Sequence, residues 1–179
     1  MLALENTALL VIDVQGKLAH LMNEKETLFN NLQKLIKGAQ VLELPILWTE
    51  QRPEKIGPTI SEVARLLPNI KLISKMSFSC CGNEKFMQEI KDLGRKQILI
   101  AGIETHVCVY QTAMDLVNLG YEVQVITDAV SSRTPQNKEI GFERIKAVGA
   151  SLTGTETALF ELLKVGEGTK FKEILGVIK

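Results

Sequence analysis

The feature that most constrains this 179-residue chain is a regular alternation of two kinds of segment. One kind is short and continuously apolar. Thr7–Val14 (TALLVIDV) has no polar face, so it reads as a strand buried on both sides, as in a parallel sheet. Pro45–Thr49, Lys71–Ser74, Gln97–Ile103, Glu122–Thr127 and Ala150–Thr153 read the same way. The other kind has helical spacing. Leu28, Leu32, Leu35, Ile36, Ala39 and Leu42 share one face, and Val109, Ala113, Leu116 and Val117 share another, with Gly120 as a stop. Thr134-Pro135 reads as N-cap and N1 of a helix carrying Gly141, Ile145 and Val148 inward, and Thr155 opens one with Leu159 and Leu162. Strands that alternate with helices pair in parallel through right-handed crossovers. The expected fold is therefore α/β: a three-layer α/β/α sandwich, Rossmann-like, around a six-stranded, mostly parallel sheet. Residues 1–179 read as one domain, with Gln51–Ser61 a loop over one face.

Composition removes several function classes. With 45% hydrophobic residues the chain has material for a core that hides about 70% of its unfolded surface. The 21 basic and 21 acidic residues leave no electrostatic footprint for nucleic acid or an anionic membrane. No apolar run approaches the roughly 20 residues that span a bilayer. The first residues, MLALENTALLVIDV, lack the basic start of a signal peptide. Three cysteines, two of them adjacent (Cys80-Cys81), do not make a disulfide framework, so a reducing cytoplasmic setting is expected. Val14-Gln15-Gly16-Lys17 after the first strand is not a dinucleotide fingerprint.

Ligands of open α/β sheets bind beyond the carboxyl ends of the strands, where strand order reverses. Three reactive side chains fall there. Asp13 ends the first strand, Lys75 follows the third, and Cys108 follows the fourth after Gly102-Ile-Glu-Thr-His. If Thr105 is an N-cap, Cys108 lies in the first helical turn, where the positive end of the dipole favours a thiolate. Lys75 would push the same way, and Asp13 could take the thiol proton and later protonate a leaving group. Position alone leaves blander roles open: a cysteine packs as a small hydrophobe, and a strand-end carboxylate caps a neighbouring turn.

Three segments resemble one family. LLVIDVQ (Leu9–Gln15), SKMSFS (Ser74–Ser79) and GIETHVCVYQTAMDLVNLGYEVQVITDAVSS (Gly102–Ser132) are similar to the aspartate, lysine and cysteine segments of the isochorismatase-like hydrolases. This superfamily also holds nicotinamidases and N-carbamoyl-amide hydrolases. Thr49-Glu50-Gln51 and Gly57-Pro58-Thr59 bring the chain nearest to the metal-independent branch of isochorismatase domain-containing proteins. The resemblance implies a cysteine hydrolase in which Cys108 attacks a carbonyl or similar carbon. Asp13 would be general base and then acid, and Lys75 would hold both in register. It further implies a cis peptide between Ile103 and Glu104, turning the Glu104 and Cys108 N–H groups into an oxyanion hole.

Departures from the family narrow this. Trp48-Thr49-Glu50-Gln51-Arg52 has no histidine where nicotinamidases carry a metal pair, and His20 and His106 are not at metal spacing. No metal and no other cofactor is expected, and the substrate stays open. Gln15, Trp48, Gln51 and Phe78 are candidates for the pocket wall, the two aromatics equally for plain core. His106 lies two residues before Cys108, so a helix would face it elsewhere, in a structural or pocket-edge role. Cys80-Cys81 is read as packing, with Gly82 marking a helix start. The expected activity is hydrolysis of a small amide, carbamoyl or imine-type compound by a homo-oligomer without nucleic acid or membrane partners. The alternative is a catalytically silent binding or scaffold domain. Val165–Lys179 is amphipathic and suits packing on its own domain or on a neighbour.

Overall fold

A computed structural model describes residues 1–179. The strands are β1 (Thr7–Ile12), β2 (Ile46–Gln51), β3 (Leu72–Lys75), β4 (Gln97–Ile103), β5 (Glu122–Ser131) and β6 (Ser151–Thr153). They form one sheet in the order β3-β2-β1-β4-β5-β6, and every neighbouring pair is parallel. The helices are α1 (Gly16–His20), α2 (Lys25–Val41), α3 (Pro53–Ile56), α4 (Ser61–Ala64), α5 (Glu84–Asp92), α6 (Tyr110–Asn118), α7 (Pro135–Ala147), α8 (Thr155–Leu163) and α9 (Gly168–Ile178). None is long and apolar enough to cross a membrane.

The period of two along the central strands builds both cores. Leu9 and Val11 of β1, with Leu99 and Ala101 of β4, pack under α2, α8 and α9 through Leu32, Ile36, Leu159 and Ile174. Leu10 and Ile12, with Ile98 and Ile100, pack under α5, α6 and α7 through Phe86, Leu116 and Ile145. Each such burial contributes about 1.5–3 kcal/mol. Exposed ion pairs such as Lys71–Glu89 contribute at most about 1 kcal/mol each. The two apolar faces, not the surface charges, hold the layers together.

Several boundaries differ from the sequence expectation. β1 stops at Ile12 because Asp13 takes φ +51°, which leaves the ladder and which aspartate tolerates better than most residues. β2 runs on to Gln51, which stays in register with Lys75. β5 runs on to Ser131: its register with β4 shifts between Ile100 and Gly102, after which Val130 and Ser131 pair with Gly102 and Ile103. Gln51–Ser61 is not a plain loop. It holds α3 and an isolated antiparallel bridge from Gln15 to Thr59, and Glu50 Oε1 accepts from Thr59 N at 2.6 Å and Thr59 Oγ1 at 2.7 Å. Cys80–Gly82 is a 3₁₀ turn, and α5 starts after it, capped by Asn83 Oδ1 accepting from Phe86 N at 2.9 Å. The amphipathic tail packs on its own fold: Ile174 is buried, and Lys34 Nζ donates to Ile178 O at 2.6 Å.

Candidate active site

Strand order reverses between β1 and β4, and the carboxyl ends of β1, β2, β3 and β4 converge there. Gly102 makes the junction. Its φ is +116°, and a Cβ at this position would stand 2.0 Å from Ile12 O, so only glycine lets β4 close on β1. Beyond it the Ile103–Glu104 peptide bond is cis. The chain then enters a π-helical turn, Thr105–Val109, before α6. The Glu104 carbonyl accepts from Val107 N at 3.0 Å and Val109 N at 3.2 Å, passing over Cys108. Gly141 of α7 sits against this turn; a Cβ there would lie 2.9 Å from His106 N and Thr105 C.

Asp13, Lys75 and Cys108 meet at this edge. Lys75 Nζ donates to Asp13 Oδ2 at 2.6 Å, and Thr49 Oγ1 donates to Asp13 Oδ1 at 2.7 Å. The Lys75 side chain is wholly buried, and its other two protons go to Ser77 O and Phe78 O, each at 3.0 Å. All three ammonium donors are thereby satisfied. Burial disfavours the Lys75 cation most strongly, but the Asp13 carboxylate, the Cys80 and Cys108 sulfurs and the Asp13 hydrogen bond together hold the lysine above its ordinary value. The Cys108 thiol is pushed well up, first by burial and then by the Asp13 carboxylate, with Lys75 opposing. Its hydrogen bond goes to Gln51 Oε1 at 3.2 Å. This corrects the expectation of a helix-stabilised thiolate. Cys108 lies inside a π-helical turn that begins at Thr105, not in the first turn of an α-helix, and burial favours its neutral thiol beside the Asp13–Lys75 ion pair.

A cavity of about 300 Å³ lies over the thiol. Leu18, Ile56, Phe78, Ile103 and Val107 supply its apolar wall, and Asp13, Gln15, Gln51, Glu104, Arg133 and Cys108 its polar one. Of the four pocket candidates, Gln15, Gln51 and Phe78 line it. Trp48 does not: it pairs with Val11 in register, is buried in the core under α2, and donates from Nε1 to Ile70 O at 2.9 Å. Gln15 braces as well as lines. Its amide accepts from Gln51 N at 2.7 Å and donates to Gln51 O at 3.1 Å and Gly57 O at 2.7 Å. His106 Nδ1 lies 2.9 Å from Ser132 Oγ and 3.5 Å from Glu104 Oε2. Cys80 is buried behind the ion pair, its sulfur 3.9 Å from Thr49 Oγ1.

The sequence reading missed Thr49 and Arg133. Arg133 stands just past the end of β5 and donates from Nε to Glu104 Oε1 at 2.9 Å. The strand-end rule that singled out Asp13 would have found it had β5 been drawn to its full length. In the Trp48–Arg52 stretch the Glu50 carboxylate is engaged by Thr59, and nowhere do three or more His, Cys, Asp or Glu side chains gather in a way that could hold a metal ion.

The Isochorismatase domain matches residues 7–157, which include Asp13, Lys75 and Cys108. The secreted isochorismatase effector Isc1 of Phytophthora sojae is 36% identical over 178 residues, covering 97% of this chain and 85% of its own. The structure of the MAR1 ribonuclease of Caenorhabditis elegans superposes with a TM-score of 0.93 at 32% identity, covering 99% of this chain and 91% of that one. The Escherichia coli YcaC gene product, described as an octameric hydrolase of unknown specificity, superposes at 0.94 with 26% identity, over 99% and 88% of the two chains. A family match across most of the sheet, relatives alike over nearly their whole length, and the shared fold agree: the chain belongs to the isochorismatase family and has its hydrolase fold.

Proposed function

We propose that the protein hydrolyses a small amide, carbamoyl or imine-type compound through a covalent intermediate on Cys108. The observation that carries this reading is the buried Lys75–Asp13 pair, 2.6 Å long, whose Asp13 lines the same cavity as the thiol. In an amide substrate, Asp13 takes the thiol proton as sulfur bonds to the carbonyl carbon. The N–H groups of Glu104 and Cys108 receive the oxyanion. Collapse of the tetrahedral species breaks the C–N bond, and Asp13 returns the proton to the leaving amine. Water, deprotonated by Asp13, then cleaves the thioester, and the proton goes back to sulfur. Lys75 holds the carboxylate in place throughout, since its donors are fixed by Ser77 and Phe78.

A small cavity with a mainly apolar wall and one guanidinium, Arg133, supports a small-molecule substrate rather than a nucleic acid chain. The octameric E. coli relative supports a homo-oligomer. Three unpaired cysteines support a reducing compartment, although one relative is named as secreted. The second reading, a silent binding domain, draws on the raised Cys108 thiol, which at rest is a poor nucleophile.

A panel of small amides and carbamoyl compounds, assayed for released ammonia or amine, separates the two. Turnover should vanish in Cys108→Ala and fall about 10²–10⁴-fold in Asp13→Asn. The double variant should be no worse than Cys108→Ala, because both act in one step. Asp13→Asn with near wild-type activity on a substrate lost by Cys108→Ala would refute the mechanism. Light scattering at micromolar concentration tests assembly, and degradation of a mixed RNA pool tests the substrate class.

A further inference from the structure

Gln51 is held unusually firmly for a cavity residue. Its backbone is in register with Lys75 on one side and clamped at N and O by the Gln15 side chain on the other. Its amide orientation is set as well, because Nε2 points at Met76 O, 3.4 Å away. The flipped amide would set two carbonyl oxygens against each other. Gln51 Oε1 therefore faces Cys108 Sγ at 3.2 Å.

Other acceptors of the wall are either engaged by the protein or sealed away from solvent. Asp13 receives Lys75 and Thr49, and Gln15 Oε1 receives Gln51 N. Glu104 Oε1 receives Arg133, while Glu104 Oε2 has no hydrogen-bond partner and is sealed from solvent 3.5 Å from His106 Nδ1. Gln51 Oε1 is held only by a thiol, a weak donor that an N–H displaces readily. An acceptor 3.2 Å from the nucleophile is within hydrogen-bond reach of an N–H carried close to the attacked carbon.

We propose that Gln51 sets the substrate class: its Oε1 accepts an N–H of a primary amide or carbamoyl NH₂, and that exchange releases the Cys108 thiol proton toward Asp13. This rests on Cys108 being the nucleophile. In the free protein Gln51 holds the thiol proton and keeps it from Asp13. A substrate bearing N–H takes the acceptor and arms the thiol. A fully substituted amide brings no donor and leaves the thiol parked.

Paired electrophiles test this without knowledge of the natural substrate. Acrylamide and N,N-dimethylacrylamide each add the thiol across the C=C bond, with sulfur on the β-carbon and the thiol proton on the α-carbon. Rates of Cys108 modification, followed by mass spectrometry of the intact protein and its peptides, are divided by each reagent's rate with a small free thiol. Wild type should prefer acrylamide by about three- to tenfold after this correction, the range one hydrogen bond supplies. Gln51→Leu should bring the ratio to near one while reacting faster with dimethylacrylamide than wild type does. Gln51→Glu keeps an acceptor and should keep the preference at a lower rate. No preference in wild type, or an unchanged preference in Gln51→Leu, would overturn the proposal. Cys108 inert to both reagents would instead remove the nucleophile reading, and this proposal with it.

Discussion

Replacing Lys75 by methionine isolates the central ion pair. The substitution keeps much of the side-chain volume but removes three hydrogen bonds, to Asp13 Oδ2, Ser77 O and Phe78 O. It leaves a carboxylate only 6% exposed with no cation beside it. Breaking a buried pair from one side costs about 3–5 kcal/mol. For a chain of this size each kcal/mol moves Tm by about 2–4 °C, so the loss should be about 6–20 °C. Asp13→Asn alone should cost a similar amount, because Lys75 then keeps only its two carbonyl partners. Asp13→Asn/Lys75→Met removes both charges, and the asparagine oxygen can still accept from Thr49. It should therefore be more stable than either single variant. Urea unfolding at pH 7, with midpoint and slope compared across the four proteins, measures this. A Lys75→Met loss below about 1 kcal/mol, or a double variant equal to the sum of the singles, would refute the view that the pair is mutually dependent.

Cys80 is pushed up to about 12 and Cys81 to about 11, in both cases first by burial, and Cys108 is pushed up as well. Unfolded thiols titrate near 8.5, so the stability these groups contribute is whole below about pH 8.5 and is lost as pH rises toward 11–12. Urea midpoints should fall between pH 8.5 and 10.5, and less steeply in Cys108→Ser; a flat profile would count against the buried neutral thiols. Gly102→Ala should yield little folded protein, because its Cβ would meet Ile12 O at 2.0 Å, and normal soluble yield with native circular dichroism would contradict the junction. Protein purified without an affinity tag should carry no stoichiometric zinc, iron or manganese, and a chelator should leave its melting temperature unchanged. Near one equivalent of bound metal by elemental analysis would overturn the reading of Trp48–Arg52.

What was legible in the sequence followed from patterns with a local physical cause. The apolar runs at Thr7 and Gln97 announced strands because both faces of a parallel sheet are buried, and β4 has the expected bounds, Gln97–Ile103. The face Leu28–Leu42 announced α2 by its period. Asp13, Lys75 and Cys108 were found because parallel topology dictates where reactive groups collect. What was hidden depends on partners far away in sequence. The 51–61 segment is shaped by Gln15 and Glu50, through bonds that no local pattern records. The π-turn forms where Gly141, over thirty residues later, lets α7 press on Thr105 and His106. Trp48 was ambiguous because an aromatic suits pocket and core alike, and only the register with Val11 assigns it to the core.

The placement of α8 and α9 has a consequence for how the chain is made. Both follow the last strand in sequence, yet both close over α2, near the beginning, and Leu2 N donates to Glu161 Oε1. The apolar side of β1 and α2 thus emerges early and waits uncovered until α9 has been synthesised. Contacts of such sequence separation form late and slow folding, and the exposed face is a site for nonproductive association in the interval. The opposite core, closed by α5, α6 and α7, can assemble sooner, so the sheet acquires one finished side before the other. Any need for a chaperone during synthesis is then a property of the α2 face, and it is set by chain order rather than by overall stability.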